Sequence, residues 1–139
     1  MIIIKKIIIV FSFILIGLSI WYWNSYSPKS FNSILNLNDL EKIEFQWKDE
    51  INIVDNPEQI KKIIFYLNSF EYKKKSKQEI SQENLNNNSY SLLEVWFIKS
   101  NSKKINISFN KDELRVGKAF YSIDDGSIDE NTFRSLITE

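Results

Sequence analysis

The chain has 139 residues, 43% hydrophobic and 14% aromatic, with 3 Gly and 2 Pro, which suits one folded domain plus a short extra element and excludes a low-complexity chain. Formal net charge is zero, from 18 basic and 18 acidic residues, so no overall field draws the chain to nucleic acid. With no Cys and no His there is no disulfide framework, lipid-modified cysteine, thiol nucleophile, His-based triad or usual zinc ligand set.

The first element is "MIIIKKIIIVFSFILIGLSIWYW". Its uncharged run from Ile7 to Trp23 covers 17 residues, roughly 25 Å as a helix against a hydrocarbon core of ~30 Å. Counting from Ile2 gives roughly 33 Å, if Lys5 and Lys6 reach back to the headgroups. Trp21, Tyr22 and Trp23 are amphipathic rings suited to a membrane–water interface. The run exceeds the usual ~7–15 residues of a signal-peptide core, and bulky rings stand where small residues would aid cleavage. We read residues 1–27 as a retained single-span anchor, with the N-terminus in the cytoplasm and the rest outside. The alternative is cleavage after Ser27, which would release a secreted domain. The Ile, Lys and Asn bias, with only Arg115 and Arg134, points to an AT-rich coding sequence and a Gram-positive host.

Residues 28–38, polar with scattered apolar positions, read as a tether, and 39–139 as the extracytoplasmic domain. From Phe31 onward, 15 basic face 18 acidic residues, a mildly acidic balance. In "LEKIEFQW", Ile43, Phe45 and Trp47 alternate with polar residues, as in a strand with one buried face, and "INIV" returns as a second strand. "DNPEQIKKIIFYLN" carries Asn56 as cap, Pro57 at the first helical position and Gln59 at capping-box spacing. Ile60, Ile63, Ile64 and Leu67 form one face of the helix this predicts over 57–68. "FEYKKK" predicts a short strand, and the Asn-rich stretch 76–89 a long loop. "YSLLEVWFI" reads as a central strand, apolar on both faces. "INISFN", "LRVG" and "FYSI" follow as a meander. A Ser127-x-x-Glu130 capping box then opens a helix with Phe133, Leu136 and Ile137 on one face. The expected fold is α+β: an antiparallel sheet ordered β-β-α-β-β-β-β-β-α with two helices, after one transmembrane helix.

This element order around "VDNPEQIKKIIFYL", from about Leu40 to Ile137, resembles small exported or membrane-anchored Firmicute α+β domains of unknown function. The resemblance implies location and fold and no activity; many such domains are lipoproteins, and this chain lacks the cysteine.

Motifs with chemistry are sparse. Ser100-x-x-Lys103 has the spacing of a serine–lysine nucleophile, but it falls in a hairpin turn and its companion triplets are missing. "DDGSIDE" hints at a calcium loop; with Gly126 at the sixth position, ligand positions fall on Tyr121, Ile123 and Thr132. Lys73, Lys74, Lys75 and Lys77 form the basic cluster of the outer domain, able to meet an anionic polymer, headgroups or an acidic partner, or to guard a strand edge. Trp96 is a core residue or, if exposed, part of a binding surface. The expected function is non-enzymatic: an anchored binding or regulatory domain with a membrane and a protein or envelope component as partners, no cofactor and no metal. A carboxylate-dependent envelope hydrolase is the alternative, and a structural envelope protein a third reading.

Overall fold

A computed structural model describes residues 2–47, 50–80 and 93–138, with side chains from Lys6 onward. The protein is α+β. Helix α1 (Ile2–Tyr26) leads into a four-residue helix α2 (Phe31–Ile34), a hairpin of β1 (Leu40–Trp47) and β2 (Glu50–Val54), and helix α3 (Pro57–Asn68). There follow β3 (Tyr72–Lys74), β4 (Leu93–Lys99), β5 (Lys104–Phe109), β6 (Glu113–Val116), β7 (Ala119–Ile123) and a closing helix α4 (Glu130–Thr138). The seven strands form one antiparallel sheet in the order β2-β1-β4-β5-β6-β7-β3. Helix α3 therefore carries the chain from one sheet edge to the other, and the meander β4–β7 fills the middle.

Alternation decides which face is buried. Ile43, Phe45 and Trp47 share a face with Phe97, Val95, Ile107, Phe109 and Leu114, all buried. Helices α2, α3 and α4 add Phe31, Ile60, Ile63, Leu67 and Phe133 to the same core. Phe133 meets Phe45 and Phe109 at ring separations of 5.7 and 6.1 Å. Trp47 is buried, with the Arg134 guanidinium 3.9 Å above its ring.

Helix α3 starts where the cap requires: the Asn56 side chain accepts from the N–H groups of Glu58 and Gln59. The expected capping box closes on one side only. The Gln59 amide instead donates to the carbonyls of Leu136 and Ile137, at 2.9 and 3.0 Å, and so clasps α3 to the last turn of α4. The cap of α4 also differs from expectation. Asp129, not Ser127, accepts from the N–H of Thr132, at 2.8 Å. Buried Ile128 donates its N–H to the Lys111 carbonyl and holds the chain extended until Asp129.

Residues 28–38, read from sequence as a tether, contribute to the core. Phe31 is fully buried, its ring 5.7 to 6.2 Å from those of Phe97, Tyr72 and Phe109, and Leu35 is also buried. Phe31, Ile34 and Leu35 stand at i, i+3 and i+4, so a single helical turn brings them to one side. Just before it, Lys29 pairs with Tyr72 through two backbone hydrogen bonds of 2.9 Å, which ties the exit of α1 to β3.

Candidate functional site

Among the described residues, one helix is long and apolar enough to cross a membrane: Lys6–Tyr26, 21 residues whose apolar window is nowhere buried. Its side chains are apolar all round, which a soluble amphipathic helix avoids. Trp21, Tyr22 and Trp23 are all exposed near its end. Lys6 is exposed on the first turns, and the Lys5 side chain lies outside the described ones.

Beyond α1, the large apolar side chains exposed among the described residues are Ile51, Ile53 and Phe65. Phe65 stands out at 79% exposure. Helix α3 presses Ile60, Ile63 and Leu67 toward the sheet, so Ile64 and Phe65 turn toward the flank, where the chain from Asn32 to Leu40 runs alongside. Between them lies an open groove of about 700 Å3. Leu35, Leu37, Leu40, Ile64 and Phe65 give it an apolar floor. Asn32, Asn36, Asn38 and Asn68 rim it with side-chain amides. Asn68 accepts from the N–H of Asn32 at 2.9 Å and so fixes one wall to the other. Asn36 also accepts from the N–H of Asn38, at 3.1 Å, within the rim.

The residues singled out from sequence lie elsewhere. Lys73 and Lys74 are exposed on β3, which is an edge strand. Lys75 is ion-paired with Glu113 at 2.5 Å, and Lys77 is exposed just past the strand. Trp96 is half-buried on the sheet face turned away from the helices, between Glu44 and Asn106. Glu44, its neighbour on β1, is 3.6 Å from both Lys42 and Lys104. Four inter-strand steps, about 19 Å, separate β4 from β3, so Trp96 and the lysines do not form one surface. The loop expected over 76–89 lies mostly outside the described residues.

Among the described residues, the carboxyls with displaced pKa are displaced downward. Lys61 holds Glu58 low, hydrogen bonds from Ser76 hold Glu79 low, and Thr132 holds Asp129 low. Burial raises the hydroxyl pKa of Tyr66, Tyr72 and Tyr121; Tyr72 donates to the Leu67 carbonyl at 2.8 Å.

Sequence reasoning missed the groove. The signal was present twice: leucines alternating with asparagines in "LNLN", and a large aromatic at Phe65 off the apolar stripe of α3. No family model, curated protein or solved structure matches this chain.

Proposed function

We propose that this protein is held in a membrane by α1 and serves there as a non-enzymatic binding or regulatory domain on the extracytoplasmic side. The groove between α3 and residues 32–40 is its recognition surface, and a polypeptide segment with apolar side chains is its partner. The observation that carries this reading is Phe65. A phenylalanine at 79% exposure, beside an amide-rimmed apolar groove, is costly in water and gains from cover. The anchor rests on the length and all-round apolarity of α1. The outward orientation rests on the two lysines of its N-terminal flank.

The test places a photoreactive phenylalanine analogue at position 65 and, as a control, at Lys111 on the β5–β6 turn, in the full chain in host membranes. The proposal expects one adduct of defined mass from position 65, lost in Leu37→Asn and absent from position 111. Equal labelling at both positions, or none at 65, contradicts it.

A further inference from the structure

We infer that the end of the sheet nearest α1 is a basic docking surface for anionic lipid headgroups, holding the domain down on the membrane; this rests on the reading of α1 as an anchor.

Chain direction fixes which end that is. Lys29 and Tyr72 pair antiparallel, so residues before Lys29 lie beside residues after Tyr72. Helix α1, ending at Tyr26, touches β3 accordingly. Tyr26 is three residues past Trp23, a rise of about 4.5 Å. The headgroup layer is roughly 5–8 Å deep on each side of the bilayer. With the Trp-Tyr-Trp cluster at the interface, Lys73 and Lys74 leave the sheet at headgroup level.

Two further strands bring charge to the same end. Strand β7 runs antiparallel to β3 and β6 antiparallel to β7, so the β6–β7 turn also points toward α1. That turn is the two-residue loop Gly117-Lys118, with Gly117 at φ 58, a conformation glycine adopts without strain. It presents Lys118 and, one residue into β6, Arg115, whose guanidinium lies 5.2 Å from the Phe120 ring. Lys73, Lys74, Arg115 and Lys118 are all exposed.

The opposite end of these strands carries Glu71, Asp112, Asp124 and Asp125 against Lys111, all exposed. Charge is thus polarised along the strands although the domain as a whole is mildly acidic. Two features oppose the basic end. Glu79 lies close enough to Lys73 to feel its charge. Asp39 and Glu41 at the start of β1 and Asp55 past the end of β2 stand five and six strands across; sheet twist of about 20–25° per strand turns them roughly 100° or more away from β3. Lysines on β3 also guard its edge against strand pairing, a role that carries no dependence on lipid.

The test uses the full chain reconstituted in vesicles of phosphatidylcholine, with or without phosphatidylglycerol. The absence of native cysteine permits one label at a time: Ala119→Cys beside the β6–β7 turn, at the anchor-facing end, and Asp112→Cys at the other. Quenching by a headgroup-borne nitroxide reads the distance of each label from the bilayer. Phosphatidylglycerol should raise quenching at position 119 over that at 112. Salt from about 0.1 M to about 1 M, which shortens the Debye length from ~10 to ~3 Å, should abolish the gain. Each basic residue near an anionic surface contributes roughly fivefold. Lys73→Glu with Lys74→Glu and Lys118→Glu should therefore lower the docked-to-undocked ratio by roughly a hundredfold or more, while keeping the β3 edge charged. Quenching indifferent to phosphatidylglycerol, or unchanged in the triple variant, overturns the inference and leaves the anchor standing. So does polyphosphate binding to the patch on neutral vesicles without any lipid dependence, which would assign it to a soluble polymer. Release of the chain from neutral vesicles by an alkaline wash overturns the anchor reading and this inference together.

Discussion

Phe31→Ala measures how firmly the domain is built onto the end of α1. Phe31 is fully buried and packs its ring on Tyr72, Phe97 and Phe109. A buried Phe→Ala change costs about 3–5 kcal/mol through lost transfer energy and the cavity left behind. Three aromatic partners, worth ~0.5–1.5 kcal/mol each beyond area, place this site in the upper half of that range. A domain of this size has a total stability of about 5–15 kcal/mol, so the loss is a large fraction of it. With a urea slope of roughly 1–3 kcal/mol per molar, the midpoint should fall by about 2 M. The assay is urea unfolding of the full chain in mild detergent, followed by the fluorescence of Trp47 and Trp96 above the constant signal of Trp21 and Trp23. A loss under about 1 kcal/mol would refute the reasoning, because residues 28–38 would then be a tether that merely rests on the domain.

Other outcomes follow from single contacts. Gln59→Ala removes the clasp on the carbonyls of Leu136 and Ile137, and should cost about 1–2 kcal/mol and speed amide exchange in α4 before the strands respond. Thr132 holds the Asp129 carboxyl below its ordinary 3.8, so the stability this cap contributes is complete above that value and is lost as pH falls through the lowered folded value. Asp129→Asn should flatten that acid limb in helix content followed by circular dichroism against pH. Burial raises the Tyr72 hydroxyl pKa, so stability from this side chain is complete below the ordinary 10.0 and is lost as pH rises through the raised value. In a spectrophotometric titration Tyr72 should ionise only as the domain unfolds. Phe65→Ser should leave the unfolding free energy within roughly 0.5 kcal/mol of the parent, since the ring is exposed, while removing partner capture.

Local signals were legible where chemistry is local. Asn56, Pro57 and the spacing of Ile60, Ile63 and Leu67 define α3 without help from the rest of the chain. The strands of the meander were equally readable from alternation and turn residues, and β4 is central, as its apolar faces imply. Long-range choices were not readable. Placing β3 beyond β7 depends on Tyr72 pairing with Ile123 and Lys29, partners far away in sequence. The stretch around Phe31 looked like a tether because one helical turn has little intrinsic stability, and only burial against Phe97 and Phe109 holds it. The α4 cap moved from Ser127 to Asp129 because Ile128 first enters the core. The groove escaped notice since its two walls meet only in the folded chain.

A retained α1 would keep the domain at a membrane. The most direct test of that retention is the intact mass of the C-terminally tagged protein in membrane and soluble fractions of expressing cells, before and after alkaline extraction. The account predicts the full 139-residue chain, 16.5 kDa plus the tag, confined to the membrane and resistant to extraction. A species beginning at Pro28 in the medium would contradict it.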